Sequence, residues 1–109
     1  MFKLNANKTF KRKVTVFTPS EEVNKYTEGN FTATFLILSQ GEIQDLEDND
    51  DTLLSKVLKG VEDIGDENGN PLPNNEDTLT LIRNDACCSA ACIREYIRGM
   101  KGKNLRQKN

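Results

Sequence analysis

The sequence contains neither histidine nor tryptophan, and it has no long apolar run. Without histidine, the chain cannot build a Ser-His-Asp or Cys-His catalytic group, a histidine-ligated metal site or an imidazole pH switch. Every apolar run is far shorter than the roughly 18 residues of a membrane-spanning helix. Residues 1–13 also lack the apolar segment and cleavage site of a secretory signal. These absences predict a soluble, cytosolic protein.

The three cysteines, Cys87, Cys88 and Cys92, lie close together, and an odd number cannot close completely into disulfides. On one helix Cys88 and Cys92 share a face, whereas Cys87 is rotated by about 100° from Cys88. Three thiolates from one helix cannot close a tetrahedral zinc site. We therefore expect small buried hydrophobic residues here, with a metal or redox site as the alternative.

Two other signs of catalysis are also missing. The glycines do not form a phosphate-binding loop between a strand and a helix, and the central carboxylates lack an apolar frame that would raise one pKa. We predict that the chain is not an enzyme and has no catalytic residue, metal or cofactor.

Charge is strongly segregated along the chain. Residues 1–13 carry five cations and no acid, residues 42–77 carry twelve acids against two lysines, and residues 99–109 carry four cations and no acid. Oppositely charged surfaces favour head-to-tail self-association, so we expect a homo-oligomer. Solvated faces and tails are the alternative interpretation. The acidic centre and a pI of about 5.2 argue against nucleic-acid binding.

Two segments alternate apolar and polar residues with the period of strands that bury one face. The first covers residues 10–16, and the second covers Phe31–Leu38, where β-branched and aromatic residues favour a pleated surface. The polar residues 19–30 between them predict a long solvated connection.

Helix signals begin at Ser39, which forms a capping box with Glu42 and predicts a helix over residues 39–49. A second helix is predicted to be capped by Asp50 or Asp51 and to run to Gly60, which can provide the left-handed C-terminal turn.

A short strand is predicted over Val61–Gly65, followed by a tight turn in which Asn68 and Gly69 both take positive φ. Calcium binding by the oxygen donors of residues 63–68 is the alternative. Their spacing does not match an EF-hand loop.

Two more helices follow. Asn74 is predicted to cap a third helix that buries Leu79, Leu81 and Ile82, and Asn84 is predicted to cap the last one. The apolar face predicted for the last helix consists of Ala86, Ala90, Ile93, Ile97 and Met100.

Together these elements predict an α+β fold, in which N-terminal antiparallel strands support several short helices and a longer C-terminal helix. Residues 1–98 are predicted to form a single domain. Residues 99–109 are predicted to form a basic flexible tail.

Four segments occur in a distinctive order: Phe31–Phe35 (FTATF), Ser39–Ile43 (SQGEI), Asp51–Gly60, and Val61–Asp63 followed by residues 66–73 (DENGNPLP). This order resembles the tail assembly chaperones of long-tailed bacteriophages. The resemblance covers residues 10–98 and is most specific at the turn and its flanking helices. The sequence departs from the family in lacking a tryptophan after the second helix and in its cysteine-rich last helix.

The resemblance implies a non-enzymatic chaperone in the host cytoplasm that binds and solubilises the phage tape measure protein. Such a chaperone needs an apolar patch that binds the tape measure protein reversibly, so that tail tube subunits can displace the chaperone. Our hypothesis is that exposed parts of six residues form this patch, with burial of all six in the core as the alternative. These residues are Ile43, Leu46, Leu53, Leu54, Val57 and Leu58.

The family also commonly makes a longer form by ribosomal frameshifting, through which tail tube protein is recruited. Gln107, Lys108 and Asn109 can be encoded by CAA AAA AAC, which contains a slippery pattern, and codons for residues 102–104 permit the same pattern. A structural tail component, such as a tail terminator or head-tail connector, and a small nucleic-acid-binding regulator are the alternative functions.

Overall fold

A computed structural model of the protein describes residues 1, 8–39, 41, 53–66 and 68–106, with backbone alone for 102–106. The elements of this part of the chain are β1 (Thr9–Pro19), β2 (Tyr26–Leu36), α1 (Leu53–Val57), β3 (Leu58–Glu62), α2 (Glu76–Asn84) and α3 (Ala86–Arg106). The predicted α+β fold is confirmed. The helix predicted over residues 39–49 lies almost entirely outside the described residues.

The strands form an antiparallel sheet in the order β1-β2-β3. The predicted alternation is confirmed, because one face of β1 and β2 is buried and packs with residues of all three helices in one core. The buried residues of this inner face on β1 and β2 are Val14, Val16, Phe31, Ala33 and Phe35.

The long connection predicted between the first two strands is wrong. Strands β1 and β2 continue beyond the core to Pro19 and Tyr26, which pair with each other, so that only residues 20–25 join them. Residues 26–30 are all exposed, and they therefore carry no burial pattern that would reveal a strand. Pairing of backbone groups along the hairpin, rather than burial, holds this part of the strands together.

The helix predicted over residues 51–60 is also wrong beyond Val57, because Leu58–Glu62 is strand β3. Gly60 pairs with Thr34 instead of ending a helix. A Cβ on Gly60 would lie 3.3 Å from the side-chain amide of Asn74, so this glycine permits close approach of that side chain. The strand predicted to continue to Gly65 ends at Glu62.

The turn after β3 differs in type from the prediction. Gly69 takes a φ of 84°, as predicted. The Gly69 amide donates to the Asp66 carbonyl at 3.0 Å, and Gly65 bridges to Pro71. Gly69 therefore follows the turn as a left-handed residue, as in longer hairpin loops.

Both predicted helix caps are displaced by one residue. The Asn75 side chain caps α2 by accepting from the Thr78 amide at 3.0 Å, and the Asp85 side chain accepts from the Cys88 amide at 2.9 Å at the start of α3. The predicted caps Asn74 and Asn84 do not serve these roles. Of the residues predicted to be buried in α2, Leu79 and Ile82 are buried and Leu81 is exposed.

The buried face predicted for the last helix is wrong. Among residues 86–101 of this helix, the buried ones are Ala91, Cys92, Glu95 and Tyr96, whereas Ala86, Ala90 and Ile97 are exposed and Ile93 and Met100 are half-buried. The helix is rotated from the predicted orientation because the aromatic ring of Tyr96 enters the core.

An aromatic cluster joins α3 to the sheet. The Tyr96 ring lies 5.4 Å from the Phe35 ring, edge to face, and 5.8 Å from the Phe10 ring, measured between ring centroids. The Leu38 amide donates to the Tyr96 hydroxyl at 3.3 Å, so the buried oxygen is hydrogen-bonded.

A buried carboxylate makes the second link between α3 and the sheet. Glu95 accepts from Arg12 of β1 at 2.9 Å and from Arg98 of α3 at 2.7 Å. Both guanidinium groups hydrogen-bond the carboxylate, which satisfies the charge that burial would otherwise make costly.

Helix α3 continues to Arg106, so residues 99–106 of the predicted basic tail are helical. Gly99 lies inside this helix, where a Cβ would come 2.7 Å from Phe10 Cε2. Close approach of the Phe10 ring therefore explains a glycine in the middle of a helix.

Replacing Gly99 with alanine is expected to lower the free energy of unfolding by up to about 2 kcal/mol, measured by urea denaturation. Alanine is better than glycine inside a helix by about 1 kcal/mol, but overpacking costs about 1–3 kcal/mol. The Phe10 ring cannot move away freely, because it packs against the rings of Phe35 and Tyr96. In a Phe10→Ala background the same substitution should be neutral or stabilising. Destabilisation of equal size in both backgrounds would contradict the role of Phe10.

Candidate functional site

The residues predicted to form the partner-binding patch are largely core residues. Leu53, Leu54, Val57 and Leu58 are each at most 9% exposed, so this fold leaves them no exposed remainder. These four residues therefore match the alternative interpretation, in which they belong to the core. Ile43 and Leu46 lie outside the described residues.

Exposed apolar side chains occur instead at the far end of the β1–β2 hairpin. We call residues 17–28 the hairpin arm. Beyond the buried Val16, every residue of this arm is exposed except the half-buried Ser20. The exposed fractions of Phe17, Val23 and Tyr26 are 51%, 84% and 65%. A face with two exposed aromatic rings on one short hairpin is a candidate surface for a protein partner.

The strand register places the aromatic residues together. Phe17 pairs with Glu28 and Pro19 pairs with Tyr26. Directly paired residues of antiparallel strands point to the same face, and diagonal neighbours lie within reach of each other's aromatic side chains. Phe17, Pro19 and Tyr26 therefore share the outer face of the sheet, opposite to the face that carries Val14 and Val16.

The loop of the hairpin arm is internally bonded. The Ser20 amide donates to the Lys25 carbonyl at 3.0 Å, and the Glu22 amide donates to the Ser20 hydroxyl at 3.2 Å. Asn24 takes a φ of 58°, a left-handed conformation that asparagine tolerates better than most residues. These bonds hold the two strand ends in register, which fixes the aromatic residues relative to each other.

Between residues 9 and 15 of β1 and between residues 28 and 34 of β2, the outer face is polar. Lys11 forms an ion pair with Glu62 at 2.6 Å across β2, with both side chains about half exposed. Such an exposed pair contributes at most about 1 kcal/mol to stability. The exposed apolar residues of the outer face are therefore concentrated at the hairpin arm.

Two other large apolar side chains are exposed on the helices: Leu81 of α2, 62% exposed, and Ile97 of α3, 43% exposed. Single exposed apolar residues are common on protein surfaces.

The cysteines are free thiols, with Cys92 buried and Cys87 and Cys88 half-buried. Burial raises the pKa of the Cys92 thiol to about 12. Burial, together with the negative charge of Asp85, raises the pKa of Cys88 to about 11. Both groups are therefore protonated at neutral pH, and a protonated thiol is a poor nucleophile and metal ligand.

The candidate calcium-binding turn uses its carboxylate for its own backbone. Asp66 accepts from the amides of Asn68 and Asn70 at 2.9 and 3.0 Å. Within the described ranges, no group of three or more acidic or cysteine side chains is placed to hold a metal ion. None of the helices described is both long enough and apolar enough to cross a membrane.

Two features of the sequence point to residues that the periodicities did not predict. Arg12 has the same strand parity as the buried Val14 and Val16, which indicates a buried acidic partner, and the structure supplies Glu95. Phe17 breaks the alternation of β1, because it is apolar at a position of outward parity. This break is the sequence signal for the hairpin arm.

The chain was compared with protein-family models, with curated proteins and with solved structures. None of the three comparisons finds a match.

Proposed function

We propose that the chain is a non-enzymatic tail assembly chaperone of a long-tailed bacteriophage, which binds and solubilises the tape measure protein in the host cytoplasm. The observation that carries the proposal is the apolar outer face of the hairpin arm, where Phe17 and Tyr26 are exposed side by side. The resemblance of residues 10–98 to this family supplies the identity of the partner.

The chemistry of the hairpin arm suits reversible binding to an apolar helical protein. A fully buried aromatic side chain contributes roughly 150–250 Å². Phe17 and Tyr26 are only partly exposed and offer less than this, which is a small contact area compared with a stable protein interface. One copy would therefore bind weakly and could be displaced. Many copies bound along one long partner, with contacts between neighbouring copies, would bind tightly through multivalency.

Self-association fits this proposal through the segregated charge of the chain, with a basic N-terminal region and an acidic central region. We further propose that a longer frameshifted form recruits tail tube subunits. The nucleotide sequence tests the second point, since AAG codons at Lys103 and Lys108 would remove both candidate slippery sites.

Co-expression with the tape measure protein of the same phage tests the main proposal. The expected result is a several-fold increase in soluble tape measure protein when the chain is present, compared with tape measure protein expressed alone. Tape measure protein that stays equally insoluble in both conditions would overturn the proposal. It would then favour a structural tail component, which purified virions should contain.

A further inference from the structure

The two outer edges of the sheet differ in how they are covered. The strand order β1-β2-β3 places β1 and β3 at the edges. An edge strand presents unpaired backbone groups to solvent, where another strand can add. Which groups point outward follows from the hydrogen bonds at each edge.

The edge of β3 is closed by side chains. The outward Val61 amide donates to Asn74 Oδ1 at 3.1 Å, and the Leu58 carbonyl accepts from Arg83 Nη2 at 3.1 Å. Arg83 is held in place by Glu76, whose carboxylate lies 2.6 Å from its Nη1. A strand approaching this edge would have to break all of these bonds.

At the edge of β1, the alternation of an antiparallel ladder shows which backbone groups point outward. The Lys8 carbonyl accepts from the Ile37 amide of the chain beyond β2, so even-numbered residues of β1 point their backbone groups towards β2. Odd-numbered residues therefore point theirs outward. Consistent with this, the Thr15 carbonyl accepts from Arg94 Nη2, but at 3.4 Å and from an exposed side chain.

The outward backbone groups of β1 between Lys11 and Thr15 are accompanied by positive charge. Lys13 is exposed on the outer face and Arg94 reaches the edge from α3, whereas the charge of Lys11 is paired with Glu62 across β2. Pairing with β1 of a second copy would bring these lysines close to lysines of the partner, which is unfavourable. An extended segment with acidic side chains on the outer face would gain from the same charges.

We propose that the edge of β1 binds an extended acidic segment of a partner protein, which adds to the sheet as a fourth strand. Backbone bonds to Lys11, Lys13 and Thr15 provide affinity, and carboxylates beside Lys13 and Arg94 provide specificity. This surface is distinct from the apolar end of the hairpin, and the inference does not depend on the identity of the tape measure protein as a partner.

The test uses the full chain and a short capped peptide of alternating glutamate and valine, with the lysine-valine peptide as the control. Binding is measured by titration, and hydrogen exchange of the chain's amides is measured with and without peptide. We expect only the acidic peptide to bind. It should slow the hydrogen exchange of the Lys11 and Lys13 amides, whereas the lysine-valine peptide should not. Equal binding of both peptides, or binding without increased protection at these amides, would overturn the proposal.

A matched pair of variants separates the backbone contact from the charge. Lys13→Pro and Lys13→Ala both remove the charge, but only proline removes the outward amide, and it leaves the ladder to β2 intact. The acidic peptide should bind Lys13→Pro at least about tenfold more weakly than Lys13→Ala. Equal affinities in two folded variants would contradict strand addition. If Lys13→Pro does not fold, the protection measurement on the unmodified chain decides.

Discussion

Tyr96→Ala is expected to lower the free energy of unfolding by about 3–5 kcal/mol, as for other buried aromatic residues cut back to alanine. Tyr96 is almost fully buried and contacts the rings of both Phe10 and Phe35. Its removal leaves a cavity between α3 and the sheet. Urea denaturation of the purified variant measures the loss.

Tyr96→Phe is the matched control, because it keeps the ring and removes the hydroxyl that accepts from the Leu38 amide. We expect it to cost about 1–3 kcal/mol, because the buried Leu38 amide is left without this acceptor. If Tyr96→Ala costs no more than Tyr96→Phe, the ring contacts do not hold α3 against the sheet.

The second large effect concerns partner binding. The double substitution of Phe17→Lys and Tyr26→Lys is expected to abolish the increase in soluble tape measure protein on co-expression. It removes both aromatic rings from the outer face of the hairpin arm. Lysine is the suitable replacement, because position 17 lies opposite Glu28 and gains an opposite charge across the strands. Surface substitutions of this kind usually change stability by about 0.5 kcal/mol or less, so the fold should be retained.

Leu81→Lys is the control for this variant. Leu81 is as exposed as Tyr26 but lies on α2. We expect it to solubilise the tape measure protein like the unmodified chain. Equal loss in both variants would indicate a general effect of removing surface apolar groups. Loss in Leu81→Lys alone would place the binding surface on the helices.

Local patterns predict the centre of the sheet well. Val14, Val16 and the alternating residues of Phe31–Phe35 are buried where their parity places them, because one face of a strand pair must be covered in a chain with a single core. The α+β class follows from these strands together with the helical signals after them.

Segments whose structure depends on distant partners could not be predicted in this way. Leu54 and Leu58 have helical spacing, but pairing with β2 turns the chain into a strand at Leu58. Short apolar runs fit both structures, and only tertiary contacts decide between them. The orientation of α3 likewise depends on Tyr96 and Glu95, whose partners on β1 and β2 are 61–86 residues away in sequence.

The candidate site shows the same limit. A small protein needs most of its aliphatic side chains for the core, and Leu53, Leu54 and Leu58, predicted to bind a partner, are buried there. Phe17 and Tyr26 lie at the ends of β1 and β2, where all strand residues are exposed and no burial pattern marks a strand. Only the register of the hairpin shows that they share a face.

The most direct test of the proposed function is the mass of the complex captured through a tag on the tape measure protein after co-expression. The account predicts several copies of the unmodified chain on each tape measure protein, and none of the Phe17→Lys, Tyr26→Lys variant. Absence of the unmodified chain from the complex, or equal copy numbers for both forms, would contradict it.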